Sequence, residues 1–202
     1  METSSLTGKT YSSHASPTVL SLSKSTRTLD GTAGGMALDF YQGVVLDYLR
    51  ADRAIFVNTE CCIQLIKNPN PDKSGPHWYC DAVAVELLKR EVFLCEISYA
   101  KGLVSLTKRL KEWSQHWPKV RTALERDCEI PEGWSVRPWL FVPTKSIGAI
   151  VHTLELIKGA DDAPFFKARI TPLEKVQPWL YHSWNHQDCM TDKAEVPEAY
   201  RS

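Results

Sequence analysis

Two carboxylates in the middle of the chain are the residues best suited to chemistry. Asp81 lies within residues 78–88 and Glu96 within residues 92–97, and both stretches are largely apolar. A buried charge without a partner is costly, so each carboxylate needs a compensating group. Two neighbouring carboxylates repel each other, and a hard cation such as Mg²⁺ or Mn²⁺ relieves this repulsion while leaving positions for water and a phosphate. The pattern indicates metal-assisted hydrolysis of a phosphodiester.

The two apolar stretches flank a short charged turn at residues 89–91, which predicts a β-hairpin of two largely buried strands. With the turn centred near Arg90, Asp81 and Glu96 do not lie directly opposite each other. We therefore expect the two carboxylates to converge near one end of the sheet only if the strands are staggered or bulged.

The elements around this hairpin follow from hydrophobic periodicity. Residues 36–52 and 102–117 have helical spacing, and Pro118 ends or kinks the second of these helices. Strands are predicted within residues 54–66 and 136–143, although residues 60–66 could instead form a helical turn and residues 147–157 fit either a helix or a strand. This order predicts an α/β fold with a mixed central sheet flanked by helices.

Composition bounds the organisation of the chain. Its 202 residues exclude a large multidomain enzyme, and a hydrophobic content of 43% excludes wholesale disorder. Residues 1–35 contain 15 Ser or Thr residues and few apolar ones, so we expect a disordered tail there. A core domain over residues 36–158 is predicted to follow, with residues 159–202 as an extension that packs on the core or is partly ordered.

Several partner classes are disfavoured by the sequence. The net charge is zero, so any surface for nucleic acid must be local. We find no membrane-spanning segment and no secretory signal, and we expect a cytoplasmic protein without a membrane partner. The six cysteines form no CxxC pair, so a disulfide framework is not expected.

The order of elements, with an acidic residue on the second strand and another on the third, resembles the PD-(D/E)XK nuclease superfamily, also called the restriction-endonuclease-like fold. The resemblance covers roughly residues 36–143 and implies an αβββαβ core that cleaves DNA with Mg²⁺ or Mn²⁺. It implies that Asp81, Glu96 and the backbone carbonyl of Ile97 bind the metal. Gln42 matches an auxiliary polar position on the first helix, and Glu60 is a candidate third carboxylate whose alternative is a solvent-facing role.

One position departs from the superfamily pattern. Ser98 stands where the motif carries a Lys that positions the attacking water or stabilises the charged transition state. Lys101 or Lys108 could substitute for it from the following helix. If neither does, the fold remains without hydrolytic activity.

That helix also supplies a local basic surface. Residues 101–121 carry six basic residues against one acidic residue, Glu112. Lys108, Arg109 and Lys111 are therefore candidate phosphate contacts, which position DNA without reading its sequence. The alternative is a solvated helix face.

Two further interpretations stay open. A catalytically inactive module with this fold could bind nucleic acid, a protein partner or a second copy of itself, and four tryptophans offer a protein-binding surface: Trp134, Trp139, Trp179 and Trp184. A small zinc protein could instead use His182, His186 and Cys189.

Overall fold

The structure of the chain is a computed structural model. It describes residues 34–67, 77–100, 102–157, 167–181 and 198–200, without the side chains of residues 34–39, 60 and 198. All of these residues belong to one compact unit, residues 32–202. The predicted disordered tail falls almost wholly outside the described residues. Its last two residues, Gly34 and Gly35, instead form the start of the first helix.

In the described residues, five strands form one mixed sheet, in which the spatial order follows the chain order. The first three strands pair antiparallel, and the third, fourth and fifth pair parallel. Their bounds are Ile55–Gln64 (β1), His77–Glu86 (β2), Glu91–Ile97 (β3), Ser135–Val142 (β4) and Arg169–Pro172 (β5). The predicted mixed α/β architecture is confirmed. The region predicted as an extension contributes the last strand, and residues 60–64 continue β1 rather than forming a helical turn.

Helices cover both faces of the sheet because each face presents alternate, largely apolar side chains. The helices are Gly34–Ala51 (α1), Val104–Asp127 (α2) and Ile147–Ile157 (α3). Helix α1 packs Val45 and Leu49 against a face that includes Phe93 and Trp139. Helices α2 and α3 pack on the other face, where α2 buries Leu110 and Trp113. No helix in the described ranges is long and apolar enough to cross a bilayer.

Helix α2 makes the crossover that parallel pairing of β3 and β4 requires. Gly102 and Leu103 both have positive φ, 84° and 50°, so the chain turns sharply before the helix begins. Pro118 kinks the helix without ending it, and His116 leaves helical geometry at φ −117° and ψ 15°. The sharp turn places the first turns of α2 beside the end of β3.

The hairpin between β2 and β3 has a different turn from the predicted one. The turn comprises Leu87 to Arg90, and both of its leucines are exposed. Glu86 pairs with Glu91, and the ladder continues to Ala82 and Cys95. One further step in this register places Asp81 across from Glu96, so the prediction that they do not oppose each other was wrong. The cause is that the two apolar leucines were assigned to a strand.

Candidate functional site

Glu96 lies near the end of β3 away from the hairpin turn, and Asp81 lies in the middle of β2, one step beyond the last β2–β3 pair, Ala82 with Cys95. Asp81 is half-buried, and its Oδ2 accepts a hydrogen bond of 2.7 Å from the backbone amide of Ile97. Ile97 follows Glu96 directly, so this bond fixes the Asp81 side chain beside the neighbouring carboxylate. No stagger or bulge is needed to bring the two acids together.

Glu96 is the more buried of the two acids, with 3% of the residue exposed. Alternation along β3 directs it to the same face as Leu94, on which α2 packs. Arg109 of α2 donates from Nη1 to Glu96 Oε2 and forms an ion pair with it. The other oxygen, Oε1, is buried and has no hydrogen-bond partner within the described part of the chain.

Burial dominates the electrostatics of Glu96. Loss of hydration is the main cause that raises the pKa of this carboxyl, the hydrogen bond and charge of Arg109 lower it, the negative charge of Asp81 raises it, and the net pKa is about 8. Burial therefore outweighs the ion pair. In the absence of any other cation, the Glu96 carboxyl binds a proton well above the pH at which an ordinary glutamate ionises.

The donor set suits a hard divalent cation. A buried carboxylate oxygen without a partner carries a desolvation cost that a cation would offset. No group of three or more His, Cys, Asp or Glu side chains in the described residues could hold a metal ion. Mg²⁺ needs fewer, because it is commonly held by one or two carboxylates together with water and substrate phosphates. Asp81 and Glu96 meet that lower requirement.

Of the lysines predicted near the site, the two that the structure describes do not contact the carboxylates. Lys108 and Lys111 lie exposed on α2, and Lys108 Nζ is 3.9 Å from Glu112 Oε1. Ser98 is half-buried, and its amide donates to the Phe141 carbonyl, which extends the pairing of β3 with β4. Lys101 lies outside the described residues.

Gln42 and Glu60 are the predicted auxiliary residues, and the structure gives the backbone position of both and the burial of Gln42. Gln42 is half-buried on α1, the helix that packs on the opposite face of the sheet from α2. The backbone of Glu60 lies in β1 between Thr59 and Cys61, whose partners Ala82 and Cys80 flank Asp81 on β2. The side chain of Glu60 is outside the described part of the structure.

Arg109 is the site residue whose role the sequence did not reveal. The sequence indicated only a phosphate contact, because Arg109 lies in a basic stretch. Its spacing held a signal, since Leu106, Leu110 and Trp113 are buried and Arg109 borders that apolar stripe. A charged residue at the border of a buried face can reach a buried acid.

The predicted tryptophan surface is corrected by the structure. Trp139 is fully buried, stacks on Phe141 and donates from Nε1 to Thr171 Oγ1, so it belongs to the core. Trp134 is half-buried, and Trp179 is 78% exposed. The fourth tryptophan and the proposed zinc ligands lie outside the described residues.

Comparison with protein-family models, with curated proteins and with solved structures found no significant match to this chain.

Proposed function

We propose that this chain is a metal-dependent nuclease that hydrolyses DNA phosphodiester bonds. The observation that carries the proposal is the meeting of Asp81 and Glu96 on neighbouring strands, together with a buried oxygen of Glu96 that has no hydrogen-bond partner among the described residues. Aspartate and glutamate together provide the oxygen ligands that Mg²⁺ and Mn²⁺ prefer.

The topology supports the restriction-endonuclease-like version of this proposal. A helix, three antiparallel strands, a crossover helix and a strand parallel to the third follow one another in the order αβββαβ. The acidic residues stand on β2 and β3, as in the superfamily that the sequence resembles. Ligand sites in open α/β sheets form outside the carboxyl ends of strands, and Glu96 lies near the carboxyl end of β3, just before the crossover through α2.

Asp81 and Glu96 would hold the metal, with the Ile97 carbonyl as a third oxygen. A divalent cation in this position lowers the pKa of a bound water and stabilises charge on the phosphate. The chain itself contributes orientation, since the Ile97 amide fixes Asp81 and the burial of β3 fixes Glu96. The exposed lysines of α2 would contact neighbouring phosphates of the same strand.

Arg109 is the candidate for the charge that the motif lysine supplies elsewhere. It is the cation that the structure places against Glu96, whereas Lys108 extends along the exposed face. A guanidinium presents several donors in a planar fork that matches a phosphate. We therefore assign the transition-state contact to Arg109 ahead of Lys108.

Cleavage of supercoiled, linear and single-stranded DNA in Mg²⁺ or Mn²⁺ tests the proposal. We expect the native chain to cleave at least one of these substrates, and Asp81→Asn and Glu96→Gln to lose activity. Asp47→Asn is the control, because Asp47 is an exposed acid on α1. Equal cleavage by all four proteins, or by none, would contradict the assignment.

A second candidate is a module of the same fold without hydrolytic activity. It is favoured by the Arg109–Glu96 ion pair, which supplies a positive charge without any metal, and by Ser98 in the lysine position. Such a module would bind DNA through α2, or a protein through an exposed group such as Trp179. Metal-independent DNA binding without cleavage of any substrate would identify it.

A further inference from the structure

The Arg109–Glu96 ion pair sets the charge of the candidate metal site before a metal binds. Arg109 Nη1 bonds to Oε2, while Oε1 has no hydrogen-bond partner in the described structure. The Arg109 side chain is 37% exposed, and that of Glu96 is buried. The carboxylate therefore has one oxygen engaged by the chain's own cation and one oxygen available to another cation.

A divalent cation at Glu96 must compete with Arg109. Two cations a few ångströms apart repel each other strongly at the effective dielectric of a protein surface. Glu96 cannot move away, because it lies in a central strand between the buried residues Cys95 and Ile97. Arg109 is long, flexible and partly exposed, so it is the partner that can leave.

A freed Arg109 would be well placed for a phosphate. It lies on α2 beside Lys108, and Lys111 follows two residues later with an exposed side chain. Arginine binds phosphate through parallel hydrogen bonds, which a lysine cannot form. The guanidinium would then exchange one anionic partner, Glu96, for another of similar geometry.

Resting on the metal-dependent function above, we propose that Arg109 is an internal counter-cation, which holds Glu96 in the metal-free protein and turns to a substrate phosphate when a divalent cation replaces it. The metal and the phosphodiester then bind cooperatively. By linkage, each must raise the affinity for the other by the same factor.

Calorimetric titration of Mn²⁺ into metal-free protein tests the competition. We expect Arg109→Gln to bind Mn²⁺ roughly 5- to 150-fold more tightly than the native chain, the usual range of coupling between sites. Arg121→Gln is a matched control. Arg121 lies on the same helix and is also 37% exposed, but it pairs with Glu125 at 2.8 Å. Its replacement should leave the Mn²⁺ affinity unchanged.

Cooperativity is tested with a 15-base-pair duplex, whose own Mn²⁺ binding is subtracted and whose integrity is checked afterwards. In the native chain and in Arg121→Gln, the duplex should tighten Mn²⁺ binding, and Mn²⁺ should tighten duplex binding by the same factor. Arg109→Gln should show a smaller coupling, because only direct contact between the metal and a phosphate then remains. Circular dichroism shows whether Arg109→Gln folds. If it does not, the native chain and Arg109→Lys still test the cooperativity, because the lysine keeps a positive charge that competes with the metal. Both of these proteins should show the coupling.

The results that would contradict the role of Arg109 differ from those that would contradict the metal site. Equal Mn²⁺ affinity in the native chain and Arg109→Gln, or a native chain without coupling, would overturn the role of Arg109 and leave the metal site standing. Absence of Mn²⁺ binding from every variant would overturn the metal-dependent function, and this inference with it.

Discussion

One buried glutamate lies at each end of the β2–β3 hairpin, and the two differ in how their charge is compensated. Glu86, beside the turn, is 6% exposed, with Lys89 at 2.9 Å from Oε1 and Arg169 at 3.7 Å from Oε2. Among the described residues, Glu96 at the other end has one ion-pair partner, Arg109 on Oε2. Neither Glu86 Oε2 nor Glu96 Oε1 has a hydrogen-bond partner in this part of the chain, so the two glutamates differ in the number of cations near them.

The residues around the two glutamates also differ in how their charges are held. Near the turn, Glu91 pairs with Arg137 at 2.7 Å, and Arg169 lies 3.8 Å from the centre of the Trp139 ring. The side chains of Arg137 and Arg169 are largely buried, with 16% and 11% of their surface exposed. At the other end, the cation comes from a partly exposed helix side chain. The ion pairs at the turn end form a turn cluster that links strands of the sheet to one another, whereas the ion pair at the far end links the sheet to a partly exposed side chain of α2.

The largest effect we expect is a difference in DNA cleavage between substitutions of Glu96 and of Glu86. Glu96→Gln should lower DNA cleavage by at least about 100-fold, because loss of a metal ligand removes several kcal/mol of transition-state stabilisation. Glu86→Gln should keep the activity of the folded protein and lose stability instead. The measurement is the cleavage rate beside urea unfolding for each variant. If both variants lost activity while keeping their stability, the two glutamates would not differ in function, which would contradict this prediction.

The turn cluster should dominate stability. Arg169→Met leaves Glu86 with Lys89 alone and removes the charge from the Trp139 ring, so we expect the free energy of unfolding to fall by about 3 kcal/mol. Arg121→Met breaks a partly exposed i,i+4 pair, which should cost about 0.5 kcal/mol or less. Urea unfolding measures both. Equal losses would show that the turn cluster is not specially stabilising.

The ionisation of Glu96 should make the free energy of unfolding depend on pH. Its pKa is raised to about 8 in the folded protein, whereas that of an unfolded glutamate is about 4.3. The folded state then binds more protons between these values, so its stability falls as pH rises, by at most about 1.4 kcal/mol per pH unit.

We therefore expect the unfolding free energy of the metal-free native chain to decrease between pH 6 and pH 8 relative to that of Glu96→Gln. Mn²⁺ should reverse the trend, because it binds the ionised carboxylates. A difference between the two proteins that is constant with pH would show that Glu96 is ionised throughout this range.

The smallest expected effect concerns DNA affinity. Lys111→Gln should weaken DNA binding a few-fold and reduce the slope of log affinity against log salt by about 1, because one phosphate contact is lost. Lys89→Gln, which changes an exposed lysine at the turn end, should leave both values unchanged. Fluorescence anisotropy over a salt series measures them. If the two substitutions had equal effects, the DNA-binding surface would not lie on α2.

Local patterns were enough to predict most of the fold. Alternating and helical spacing identified α1, α2, β4 and the hairpin, but β5 was missed because four residues, Arg169 to Pro172, are too short to show a period. The turn was misplaced because Leu87 and Leu88 are apolar yet exposed. Apolar character alone does not separate a strand end from a turn.

The two acids of the candidate site were predictable because a charge within an apolar strand is visible in the sequence. Their partner was not, since the contact between Arg109 and Glu96 depends on how α2 packs across the sheet after the turn at Gly102 and Leu103. Trp139 shows the same limit. Its burial follows from tertiary packing against Phe93 and Phe141, which residue type does not reveal.

The most direct test of the metal site is to locate a bound metal within the chain. Fe²⁺ can replace Mg²⁺, and radicals generated at the bound iron with ascorbate and peroxide cut nearby backbone, so mass spectrometry of the fragments shows where the metal lies. We expect cuts close to Asp81 and Ile97 that excess Mg²⁺ suppresses and that Glu96→Gln abolishes. Absence of cuts there, or cuts confined to the turn near Glu86, would contradict a metal site at Asp81 and Glu96.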